Sequence, residues 1–250
     1  MSKKKKLFTL FLALTVVFTM CFAAVPAYAA SGTAITNADE LKAMSASGNY
    51  YLANDIEVPA NLILFTSYDA PFTGTLDGNG HTIKGYTYTA SADWTEQAAL
   101  FGYAKNATFK NLKMTEVNIS LNQAGTVAAL VAASENCKFT DIRVSGKIVG
   151  KSLSTAAGIV AYSYEGGTLT NCKNSADITI TNADEGSSAA GVAGFIGSAG
   201  SMKNCSNSGK ISISGSIEAA SISAAGVVLN VGKATSCKNS GACRKPTLST

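Results

Sequence analysis

The one histidine in the chain, His81, lies in the run Asp77-Gly78-Asn79-Gly80-His81. Hydrolysis through a triad would need that imidazole beside a Ser or Cys nucleophile, with an acid to orient it. No G-x-S-x-G elbow occurs, and two glycines with an asparagine are what a tight turn between strands requires. A single imidazole also excludes an HExxH metalloprotease and a His-rich zinc site, which need two or three. Lyases and glycoside hydrolases rest on clustered carboxylates, often with Ca²⁺ and a basic side chain. Here Asp141, Glu165, Asp177, Asp184 and Glu185 are dispersed, and Arg143 and Arg244 are the only arginines. These residue types assign no catalytic, cofactor-binding or metal-ligating position, so the expectation is a protein without enzymatic activity or cofactor.

Three other residue sets carry potential chemistry. Cys172, Cys205 and Cys237 recur at one repeat position, which Leu112 and Ile142 fill earlier in the chain. Exchange among Leu, Ile and Cys marks an interior site, where a thiol acts as a small hydrophobe. Free thiols packed in a column are therefore expected rather than a metal or redox centre; Cys137 and Cys243 fall elsewhere and are not placed. Asn174, Asn207 and Asn239 follow those cysteines by two residues. Stacked amides at a corner would hydrogen-bond along the stack, and this is preferred to a glycan site. Tyr50, Tyr51, Tyr68, Tyr86, Tyr88 and Trp94 gather early in the chain, either as an exposed sugar-binding platform or as cover for an end of the fold.

The elements that must position these residues begin after a removable segment. Lys3 to Lys6, the apolar run Leu7 to Met20 and Ala27-Tyr28-Ala29 form a secretory signal peptide over residues 1–29. Met20 and Phe22 are too large to flank a lipidated Cys21. No second apolar stretch reaches spanning length, so the mature chain is expected to be secreted and extracellular, not membrane-spanning. The chain has 20 Lys and Arg against 16 Asp and Glu, an excess that Lys3 to Lys6 supply. The balanced remainder argues against a nucleic-acid partner and predicts salt-insensitive binding, unless a local basic surface forms around Lys110 and Lys113 or Lys138 and Arg143.

Self-similarity organises the rest. Asn111-Leu112, Asp141-Ile142, Asn171-Cys172, Asn204-Cys205 and Ser236-Cys237 recur at separations of 30, 30, 33 and 32 residues. Upstream of each stands a small-apolar element, for example Ala129-Leu130-Val131-Ala132 or Gly158-Ile159-Val160-Ala161. Period-two strands such as Asp177-Ile178-Thr179-Ile180 follow the middle ones. Each unit reads as three short strands that bury a face only when coils stack. The predicted fold is all-β, a single-stranded parallel β-helix, with residues 98–243 as repeats of about 30 residues and 244–250 as a tail. Residues 30–97 form the N-terminal cap and first coil. Within them Asn37 to Glu40 resembles a capping box, and Leu41 and Met44 give a short helix one apolar face. At the other end Gly241-Ala242-Cys243-Arg244 lacks alternation and Pro246 cannot join a ladder. The expectation is that Thr250 is not a natural end: either more protein follows, or the last coil meets a partner, end-to-end self-association included.

Tyr51-Leu52-Ala53-Asn54-Asp55-Ile56, then Pro71 to Ile83 (PFTGTLDGNGHTI), Leu100-Phe101-Gly102 and Asn111-Leu112 resemble the opening of bacterial GLUG-motif repeat proteins. These are secreted or surface proteins of Gram-positive and gut bacteria. The resemblance implies a right-handed β-helix of the pectin-lyase-like type and a role in adhesion or surface display, with no catalytic residue to carry over. Ala129-Leu130-Val131-Ala132 departs from the pattern in lacking both glycines. The function expected is a secreted, non-enzymatic β-helix module for cell-surface interaction or adhesion, with a host or environmental glycan or a matrix protein as partner. The rivals are a polysaccharide-active enzyme and a structural spacer of a larger adhesin. A chain exported without need of disulfides also fits a Gram-positive setting.

Overall fold

The computed structural model describes residues 31–90, 97–122, 125–183, 185–215 and 222–244. The signal segment, Trp94, Asp184 and Pro246 lie outside the described residues. The chain from residue 31 onward is a β-solenoid of about six coils, built from four parallel sheets that run along its axis.

Each full coil visits the sheets in a fixed order. The coil of Thr126–Ala128, Val131–Glu135, Lys138–Thr140 and Arg143–Lys151 shows it, giving one strand each to sheets 3, 4, 1 and 2. The expected three strands per repeat are thus four. The small-apolar element is a pair of strands, on sheets 3 and 4, joined by a two-residue bend such as Ala129-Leu130. Apolar content without alternation concealed the bend. The corner between sheets 1 and 2 is where Asn111, Asp141, Asn171, Asn204 and Ser236 recur. All five take left-handed backbone, with φ of 51°, 55°, 56°, 54° and 54°. Asn and Asp tolerate that conformation best among residues with a Cβ, which accounts for the repeat's most regular signal.

The interior is a set of axial columns. On sheet 1, Leu76, Phe109, Phe139, Leu169 and Met202 pair in register and are buried. The Phe109 and Phe139 rings stack at 5.0–5.7 Å from their neighbours, Phe109 lying 5.3 Å from Phe139 and 5.0 Å from Phe101. Each such pair adds about 1 kcal/mol to area burial. In the last coil the same column reaches Ala234, which is exposed.

At the N-terminal end, strand Thr33–Ile35 forms the edge of sheet 1, one strand earlier than the expected start at Tyr50. Helix α1 (Ala38–Lys42) follows. Asn37 Oδ1 accepts from the Asp39 and Glu40 amides at 3.0 Å, as an N-cap should. Glu40 reaches back past the cap to Thr36, accepting from its amide at 2.6 Å and its hydroxyl at 2.9 Å. Leu41 and Met44 enter the core, so the helix does cover the end. Tyr86 and Tyr88 are buried at 0% and 8% exposure, which removes them from any sugar platform. The Leu62 carbonyl accepts from the Tyr86 hydroxyl at 2.9 Å. No helix among the described residues is long and apolar enough to cross a membrane.

Candidate functional site

His81 sits in a built turn. Asn79 and Gly80 have φ of 51° and 83°, and the His81 amide donates to the Gly78 carbonyl at 2.7 Å. Asp77 secures the turn, accepting from the Asn79 amide at 2.8 Å and from Asn111 Nδ2 at 3.0 Å. The imidazole Nδ1 lies 3.4 Å from Asp55 Oδ1, on the first coils. The dispersed acids stay apart: Asp141 is at the corner of sheets 1 and 2, Glu165 follows sheet 4, and Asp177 is on sheet 2. Among the described residues no three His, Cys, Asp or Glu side chains group as metal ligands would.

The cysteine column is interior, as its exchange with Leu and Ile predicts. Cys172 and Cys205 are fully buried and Cys237 half-buried; all are free thiols. Burial pushes the Cys172 and Cys237 thiols up, the reverse of what a nucleophile or metal ligand needs. Cys137, unplaced by sequence, is buried and pushed up to about 11 by desolvation, while Cys243 is exposed.

The asparagine ladder is also interior. Asn174 Nδ2 donates to Asn207 Oδ1 at 2.8 Å, and Asn207 Nδ2 to Asn239 Oδ1 at 2.9 Å. Asn174 and Asn207 are each 1% exposed, so neither meets a glycan. Each also bonds the backbone two residues on: Asn174 holds the Ala176 carbonyl and amide, Asn207 those of Gly209. A Cβ on Gly158 or Gly191 would fall 2.4 Å from the Asn174 or Asn207 side chain of its own coil. Where Met114 or Val144 takes the asparagine's place, the bend holds Ala99 or Ala129 instead. The departure from the GLUG pattern at Ala129-Leu130-Val131-Ala132 therefore has a cause: no amide needs the space.

The surface that gathers functional side chains is the outer face of sheet 4. Its register aligns Tyr103, Ala133, Tyr162 and Phe195 in one column and Lys105, Glu135 and Tyr164 in the next. A loop lies against the first strand, Phe101–Lys105, through the bridges Leu64↔Phe101 and Phe72↔Ala104. Phe65 and Phe72 hold it by packing on the buried Phe101 at 5.9 and 5.3 Å. It thereby sets Tyr68 edge-on to Tyr103, centroids 5.8 Å apart. Between them opens a cleft of about 250 Å³ lined by Tyr68, Pro71, Tyr103, Ala133, Ser134 and Tyr164. Tyr68 and Tyr164 are 63% and 48% exposed, large apolar surface that the core does not use. Lys105 Nζ lies 2.6 Å from Glu135 Oε1 on the same face, and that bond holds the ammonium's pKa above the ordinary lysine range. Desolvation raises the Tyr164 phenol. The ring of Tyr162 stacks on Tyr164 at 5.7 Å and leads to a second groove of about 260 Å³ between sheets 3 and 4. There Thr155 Oγ1 lies 2.8 Å from the Tyr162 hydroxyl and 3.0 Å from Ser188 Oγ.

Of the expected aromatic cluster, Tyr68 alone is reported on this cleft; Tyr103 and Tyr164 escaped the sequence reading because they are far apart along the chain. Aligning the residues after each small-apolar element, Tyr103, Ala133, Tyr162 and Phe195, would have found the column. No protein-family model matches this chain, and no curated protein is significantly similar to it. The GLUG likeness rests on the residues quoted above.

Proposed function

We propose that this chain is a secreted, non-enzymatic β-helix module for surface interaction, which recognises a saccharide or matrix ligand at the Tyr68–Tyr103–Tyr164 cleft. The observation that carries the reading is that cleft: three tyrosines from separate coils and a loop, set on one outer face. Aromatic rings with a polar tip offer a flat apolar surface for the CH face of a sugar ring, and hydroxyls for its polar edge. Pockets that enclose small molecules run from about 300 to 1,000 Å³. At about 250 Å³ the cleft suits a segment of an extended ligand lying across it. Ring–ring contacts and the sheet register fix the tyrosines in advance, which lowers the ordering cost of binding. Secretion rests on the Lys3–Met20 and Ala27-Tyr28-Ala29 pattern.

The test is retention on immobilised polysaccharides and matrix proteins, run beside an assay for released reducing or unsaturated sugar. Retention without release is expected, and Tyr103→Ala with Tyr164→Ala should abolish it while leaving the unfolding midpoint unchanged. Sugar release would establish an enzyme. Retention that survives the double substitution would place recognition elsewhere.

A further inference from the structure

The even charge of the mature chain is not evenly spread. On sheet 2 the register sets Lys113, Arg143, Lys173, Ser206 and Lys238 in one axial column, and all but Ser206 are exposed. Next to it on sheet 1, Lys138, Lys203 and Lys233 also face out. The acids on those two sheets over the same coils are Glu116, Asp141 and Asp177. Glu116 pairs with Lys84 at 3.5 Å, and Asp177 accepts from the Lys210 amide at 2.7 Å. Among the described residues, no ion pair joins Lys113, Arg143, Lys173 or Lys238 to a carboxylate. Like charges directly opposite on neighbouring strands destabilise a sheet. Lys113, Arg143 and Lys173 stand on three consecutive coils, so this fold carries that cost without internal relief.

We propose that the Lys113–Arg143–Lys173 column is a binding site for an acidic polysaccharide, a chain with one carboxylate per sugar, lying along the solenoid axis. The spacing decides the ligand class. Cations on successive coils repeat at about 4.8 Å, close to the repeat of an extended uronate chain. Duplex DNA presents a charge per about 1.7 Å of axis, and each of its strands one per about 3.4 Å. Single-stranded nucleic acid would also want aromatic platforms, whereas the flanking outward positions here are Thr140, Thr168, Thr170 and Ser201. Arg143, at the centre, brings a planar fork that matches a carboxylate bidentately.

Equilibrium binding to an oligogalacturonate, a neutral oligosaccharide of equal length and duplex DNA tests the assignment. The expected result is preference for the uronate oligomer, with affinity falling steeply between about 50 and 200 mM salt. Arg143→Gln with Lys173→Gln should weaken uronate binding about tenfold and reduce the slope against log salt by one to two. The same variant should unfold at an equal or higher temperature, since it removes like-charge repulsion. Lys42→Gln, on helix α1 and paired with Asp39, should change nothing. Uronate affinity that the double variant leaves intact, equal affinity for the neutral oligomer, or tighter binding to DNA would each overturn the proposal. None of these outcomes bears on the tyrosine cleft, which lies on another sheet.

Discussion

Asn207→Ala is the perturbation that asks most of the solenoid's interior. The side chain makes four hydrogen bonds. Its Nδ2 donates to the Gly209 carbonyl at 2.8 Å and to Asn239 Oδ1 at 2.9 Å. Its Oδ1 accepts from Asn174 Nδ2 at 2.8 Å and from the Gly209 amide at 3.2 Å. Truncation strands a buried Asn174 N–H and both polar groups of Gly209, in a structure where no described buried side-chain N or O lacks a partner. At about 1–3 kcal/mol for each stranded group, the loss should be about 4–6 kcal/mol. Asn239 ends the ladder and is exposed, so water replaces its partners and Asn239→Ala should cost about 1 kcal/mol. Urea unfolding of both variants, with hydrogen exchange at Ala176 and Gly209 to locate the damage, gives the comparison. If Asn207→Ala and Asn239→Ala cost the same, the ladder is an ornament of the surface and the reasoning fails.

Cys205→Asp should unfold the protein or cost several kcal/mol, because it strands a carboxylate at a fully buried position, while Cys205→Val should be tolerated; thermal unfolding of the two separates them. Stability should also fall as pH rises past the ordinary thiol range. Buried Cys137 keeps its proton to about pH 11, so the unfolded chain ionises first; the stabilisation is whole below about pH 8.5, falls by about 3 kcal/mol as pH approaches 11, and Cys137→Ala should remove that part of the slope.

The repeat phase was legible because stacking forces equivalent residues into equivalent environments. The left-handed corner, the cysteine column and the asparagine ladder each leave a residue type at a fixed spacing. The division into four sheets was not, since Ala129-Leu130 bends between two strands without any polar or glycine mark. Nor was the site. Tyr103 and Tyr164 are 61 residues apart in sequence and meet only through register, while Tyr86 and Tyr88, in the early cluster, are core. Net charge misled for the same reason. A sum over the chain cannot show that Lys113, Arg143 and Lys173 share one column.

The most direct test of recognition by the tyrosine cleft is an NMR titration of the mature chain with ring-labelled tyrosine, using neutral oligosaccharides of β-linked hexoses and N-acetylhexosamines. The account predicts saturable shifts of the Tyr68, Tyr103 and Tyr164 rings, with the buried Tyr86 unmoved. Shifts confined to other tyrosines, or rings that stay silent while the ligand binds, would contradict it.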